Sequence, residues 1–96
     1  MTRVGVTPAA LDDLERLIRT HILPVDTKER VRHSLRPLGR FPLLGGLLEG
    51  RLAGFRFLLG PWRWMIVVYV YDAAKDRAAI VTIQDGRAAT SPTAPA

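Results

Sequence analysis

The sequence predicts an α+β fold in which an N-terminal short strand and a helical hairpin pack on an antiparallel β-meander. Three observations carry this expectation. The run Trp62-Arg63-Trp64-Met65-Ile66-Val67-Val68-Tyr69-Val70-Tyr71 is dominated by aromatic and β-branched residues, which suit a buried pleated surface. Two shorter apolar runs flank it across turn signals, Phe55-Arg56-Phe57-Leu58-Leu59 before Gly60-Pro61 and Ala79-Ile80-Val81-Thr82-Ile83-Gln84 after the polar stretch 72–77. Upstream, two segments repeat apolar residues at helical spacing. The central run is about half the length of a membrane span, so it reads as a strand and no membrane partner is expected.

In chain order, Arg3-Val4-Gly5-Val6 is a short edge-strand candidate. Thr7-Pro8 starts the first helix, with Thr7 as N-cap and Pro8 at the first helical position. Leu11, Leu14, Leu17, Ile18 and His21 follow at helical spacing, and Pro24 closes the segment. Asp26 opens a second helix with Glu29 three residues on, a capping-box arrangement. Its apolar stripe is Val31, Leu35 and Leu38, ended by Pro37 and Gly39. The stretch 39–54 holds five glycines, which forbid a continuous helix, so its leucines must be buried locally or meet a partner.

Period-two alternation divides the meander into two faces. Pairing Leu59 with Trp62 and Tyr71 with Ala78 places Phe55, Phe57, Leu59, Trp62, Trp64, Ile66, Val68, Val81 and Ile83 on the face expected to receive the helices. The opposite face carries Arg56, Leu58, Arg63, Met65, Val67, Tyr69, Thr82 and Gln84, with the two arginines diagonally close. Like charges at that separation cost stability unless an anion or a carboxylate meets them.

Ninety-six residues suffice for one domain, expected over 1–87, while the Ala, Thr, Ser and Pro composition of 88–96 predicts a disordered tail. The absence of cysteine excludes a disulfide framework and thiolate chemistry. The two isolated histidines show no metal-ligand spacing, so neither metal nor cofactor is expected. Residues 1–5 lack a signal-peptide apolar core, which points to the cytoplasm. A net charge of +5 and a pI near 10.7 favour an acidic partner, either nucleic acid or an acidic protein segment.

The order of these parts resembles the RelE/ParE family of bacterial type II toxins from Val4 to Arg87. The matching features are Val6-Thr7-Pro8-Ala9-Ala10 with Leu14, Leu38-Gly39-Arg40-Phe41-Pro42, Gly54-Phe55-Arg56, Gly60-Pro61-Trp62-Arg63, Val68-Tyr69-Val70-Tyr71-Asp72 and Ile83-Gln84-Asp85-Gly86-Arg87. The resemblance implies a growth-arresting toxin held by a cognate antitoxin. RelE-like members cleave messenger RNA in the ribosome and so inhibit translation. ParE-like members poison DNA gyrase without nuclease activity. A third reading is a toxin fold that has lost activity.

For the endoribonuclease (mRNA interferase) reading, the resemblance implies Arg56, Arg63 and Arg87 as catalytic cations, Glu49 and Asp85 as base or acid candidates, and Arg51, Arg56, Arg63, Tyr69, Gln84 and Arg87 as RNA contacts. Cleavage through the 2′-hydroxyl needs a proton acceptor, cations for the developing phosphorane charge and a proton donor for the leaving oxygen. A guanidinium holds two phosphate oxygens with parallel hydrogen bonds. The residues themselves leave alternatives open. Arg63 could pair with a carboxylate, Glu49 could be a solvated carboxylate, Tyr69 and Tyr71 could pack beneath an antitoxin, and His21 and His33 are ordinary helical histidines. The position near the closing basic residues where RNA-cleaving relatives place His or Tyr is vacant, since Gln84-Asp85-Gly86-Arg87-Ala88-Ala89 supplies neither.

Overall fold

A computed structural model describes residues 1–87. The tail expected to be disordered, 88–96, lies outside the described residues. Strand β1 (Arg3–Val6) leads into α1 (Pro8–His21) and α2 (Thr27–Leu35), followed by a 3-10 turn at Arg36–Gly39. Then come β2 (Gly46–Leu47), a second 3-10 turn at Gly50–Leu52, β3 (Arg56–Leu59), β4 (Met65–Asp72) and β5 (Arg77–Asp85). The strands form one sheet in the order β1-β5-β4-β3-β2, antiparallel except for β1 against β5. Two helices on a mostly antiparallel sheet make the fold α+β, and β1 occupies the edge expected of it.

Helix α1 begins as its sequence dictates, with the Thr7 hydroxyl accepting the Ala10 amide and Pro8 at the first position. It ends one turn before Pro24, because Ile22 adopts the left-handed conformation and its amide returns to the Ile18 carbonyl. The capping box expected at Asp26 does not form. Asp26 instead pairs with Arg30 at 2.9 Å, while the buried Thr27 hydroxyl donates to the Pro24 carbonyl. Lys28 meets Glu15 across the hairpin at 3.1 Å. Leu14, Val31, Leu35 and Leu38 are buried on the sheet.

The helices cover the face opposite to the one expected. Met65, Val67 and Tyr69 of β4, with Ala78, Ile80 and Ile83 of β5, form the core with α1 and α2. Phe57, Ile66, Val68 and Val81 pack on the other side, against Phe55, Leu48 and Leu52 from the 46–55 segment. The grouping of residues on β3 and β4 follows the alternation, but alternation cannot say which face meets the helices when both are covered. Here β4 is buried on both sides and reads as one continuous apolar run.

Two local features moved residues between faces. A bulge pairs Val68 with Thr82 but Tyr69 with Ile80, so Val81 is the extra residue and Ile83 turns to the helix side. The β3–β4 hairpin pairs Leu59 with Ile66 rather than with Trp62, which leaves 60–64 as a turn. Trp62 and Trp64 therefore precede β4, and both lie half-buried against the helix-side core. Beyond Ile80, no strand among the described residues covers the outer edge of β5, and the Asp13 carboxylate of α1 accepts from the Thr82 hydroxyl at 2.6 Å and the Ile83 amide at 3.3 Å.

Within the 39–54 stretch, Leu48 is buried whereas Leu43, Leu44 and Leu47 are exposed. Its unexpected strand is the two-residue β2, paired with Phe57 and Arg56. So short a glycine-containing strand has no periodicity to betray it.

Candidate functional site

The predicted site residues divide between the two ends of β3. At the end where β3 begins, Arg56 lies opposite Tyr69 on β4 and Leu47 on β2. Its Nη1 donates to the Gly45 carbonyl at 2.8 Å and the Leu43 carbonyl at 3.2 Å. The Tyr69 hydroxyl donates to the Pro42 carbonyl at 2.8 Å and accepts the Gly45 amide at 2.9 Å. Together these side chains hold the 42–45 loop against the sheet. Gly45 is required there, since a Cβ would sit 2.5 Å from the Phe57 carbonyl oxygen and 2.7 Å from the Tyr69 ring. Tyr69 is 0% exposed, so its ring offers no face to a base. Glu49 and Arg51 belong to the same end, both exposed around the 3-10 turn.

At the hairpin end lie Arg63, Gln84, Asp85 and Arg87. Met65 at the start of β4 pairs with Asp85, four residue steps from the Arg56–Tyr69 pair, or roughly 13 Å along the strands at 3.3 Å per residue. Arg56 and Arg63 are therefore not the close diagonal pair expected from Leu59 opposite Trp62; the longer hairpin puts Arg63 in the turn. Arg63 is exposed and has no hydrogen bond or ion pair among the described residues. Gln84 is half-buried and donates to the Thr82 hydroxyl at 3.3 Å.

This end gathers aromatic and charged groups that the sequence had not linked. Trp62 and Trp64 stack with ring centroids 6.1 Å apart and planes 16° from parallel. The Arg87 guanidinium sits over Trp64 at 4.9 Å, and that of Arg30 lies 5.9 Å from the Trp62 ring, both within cation–π reach. His21, the last residue of α1, packs on Trp64 at 4.7 Å and brings Nε2 to 3.3 Å from Asp85 Oδ2. Arg87 grips Asp85 with Nε and its backbone amide on Oδ1 and Nη2 on Oδ2, at 2.9–3.0 Å. That guanidinium holds the Asp85 carboxyl below the usual carboxylate range, and the carboxylate in turn raises Arg87. Beside Trp62, an open cleft of about 460 Å³ is lined by Glu29, Arg30, His33, Ser34, Arg36 and Pro61.

Sequence reasoning missed His21, Arg30 and both indoles as members of this surface. The α1 spacing that put His21 in register with Leu14 and Leu17 was the available signal, but the Trp64 position that receives it depends on the hairpin register. Among the described residues, no group of three or more His, Cys, Asp or Glu side chains could hold a metal ion. No helix among them is long and apolar enough to cross a membrane.

No family model matches the sequence, and no curated protein matches it. Solved structures do match the fold. The RelBE2 toxin–antitoxin complex from Mycobacterium tuberculosis aligns at 24% identity and TM-score 0.67, covering 88% of this chain and 96% of that one. The YoeB/ParE toxin from Agrobacterium tumefaciens aligns at 20% identity and TM-score 0.66, covering 88% and 98%. The chromosomal ParDE system from P. aeruginosa aligns at 14% identity and TM-score 0.66, covering 88% and 96%. The fold is thus that of RelE/ParE toxins, as the order of sequence features implied.

Proposed function

We propose that this RelE/ParE-fold chain is the toxin of a type II toxin–antitoxin pair, and that it arrests translation by cutting messenger RNA in the ribosome. The observation that carries the nuclease reading is the surface at the hairpin end, where Arg87 and Arg30 lie over two stacked indoles beside an imidazole and a carboxylate, with the exposed Arg63 in the same turn as the indoles. Guanidinium groups bind phosphate, and partly exposed indoles stack bases without regard to their identity. Arg63 and Arg87 are the phosphate ligands in this reading. Arg56 serves the 42–45 loop, and Glu49 and Tyr69 stand with it at the far end of the strands.

Loss of one guanidinium that meets charge in the transition state should cost about 2–4 kcal/mol, or tens- to a thousandfold in rate. Arg63→Ala should therefore relieve growth arrest while leaving the fold intact, because its side chain has no partner among the described residues. Controlled expression with separate measurement of protein and DNA synthesis tests the reading. An early fall in translation, with cleaved message mapped by primer extension on ribosomes, supports it. Arrest by folded Arg63→Ala, Arg87→Ala double variant at parental strength defeats it.

A second reading, poisoning of DNA gyrase, draws on a different surface. Phe41, Leu43 and Leu44 are exposed and line, with Arg40, Pro42 and Tyr71, an open depression of about 510 Å³ suited to a protein surface rather than to RNA. Induction of the DNA-damage response before any fall in translation would favour it.

A further inference from the structure

We infer that His21 is the proton donor to the leaving oxygen in RNA cleavage, supplying from the end of α1 the group that the end of β5 lacks. The inference rests on the nuclease reading above. Such a donor must be a titratable group beside the phosphate ligands, reachable by substrate and held in one orientation. His21 meets each requirement. Asp85 lies 3.3 Å from its Nε2, Trp64 packs against its ring at 4.7 Å, and Arg87 ties the two together by gripping Asp85 and covering Trp64. The side chain is 27% exposed, and Nδ1 has no partner among the described residues. Histidine also changes charge near neutral pH in its unperturbed state, which neither Gln84 nor an arginine does.

In the step, the 2′-oxygen attacks phosphorus and releases its proton to water. The P–O5′ bond breaks, and O5′ takes the proton from Nδ1 of the His21 imidazolium. The products are a 2′,3′-cyclic phosphate and a 5′-hydroxyl, and neutral His21 is reprotonated from solvent. Asp85 acts as a positioning residue: its carboxylate faces Nε2, leaving Nδ1 to the substrate.

The test uses the full chain with ribosomes and a bound message whose scissile phosphate, mapped beforehand, carries either the natural 5′-oxygen or a bridging 5′-sulfur. A thiolate leaves without a proton, so it needs no acid. His21→Gln should cut the oxygen substrate about 10²- to 10⁴-fold more slowly than the parent. It should cut the sulfur substrate at close to the parental rate. His21→Phe, which keeps an aromatic ring against Trp64, should behave in the same way and serves if the Gln variant folds poorly. Parental rates on the oxygen substrate overturn the inference, and so does an equal loss on both substrates by a folded variant, which marks a structural role. If the parent cuts neither substrate, the nuclease reading itself falls and takes this inference with it.

Discussion

At the scale of single residues, the buried Tyr69 hydroxyl illustrates why one oxygen can matter more than a ring. It answers two backbone groups of the 42–45 loop, and removing it leaves the Gly45 amide buried without an acceptor. Tyr69→Phe should destabilise the protein by about 1–3 kcal/mol in urea unfolding; an unchanged midpoint would show that water replaces the hydroxyl. Asp76 makes a different case. It turns the β4–β5 hairpin with φ of 47°, and one carboxylate oxygen accepts from the Thr2 hydroxyl at 2.6 Å and the Tyr71 hydroxyl at 2.9 Å. These bonds, Thr2's foremost, hold its pKa below the ordinary value. A carboxylate with a lowered folded pKa adds stability above its unfolded pKa and loses it as pH falls through the folded one. Asn accepts a positive φ, so Asp76→Asn keeps the turn. The variant should lose less stability than the parent between pH 6 and pH 3, and parallel losses in the two proteins would count against a role for this carboxylate.

At the scale of elements, the strands other than β2, the helix starts and their order were legible because each rests on local chemistry: Thr7-Pro8, the β-branched run of β4, and Gly60-Pro61. The helix-bearing face was not, because Ile66 and Val68 are as apolar as Met65 and Val67, and only the assembled fold decides which pair the helices cover. The same limit governed the site. Arg63 and Arg87 stood out by type and place, but the packing of Arg87 and His21 on Trp64 depends on a hairpin four residues longer than the tightest alternative and on a bulge at Val81. Arg56 shows the converse, a conspicuous cation absorbed by two loop carbonyls. Arg56→Ala should speed amide hydrogen exchange in 43–47 and lower stability by about 1–2 kcal/mol, each charge-assisted bond being modest in net terms. Unaltered exchange in that loop would return Arg56 to consideration as a phosphate ligand.

At the scale of the whole molecule, a net charge of +5 coexists with exposed Phe41, Leu43, Leu44 and Leu47. Such a surface suits an acidic, amphipathic partner, in keeping with the antitoxin of the proposed function. Co-expression with an acidic neighbouring reading frame should raise soluble yield and protect 41–47 from exchange; a chain equally soluble and unprotected in its presence would remove the support. The parallel pairing of β1 with β5 adds a constraint in time. Thr2 bonds Asp76 across 74 positions, and the core beneath α1 and α2 is completed only by Met65, Val67, Tyr69, Ile80 and Ile83. Contacts so distant in sequence form late. During synthesis, the first half of the chain emerges with apolar helices and no sheet to receive them, and the hairpin end is assembled from residues near the last of the described chain. The arginine and tryptophan cluster therefore exists only once β5 has joined the sheet, whereas the helical hairpin and the 41–47 surface precede it in the chain.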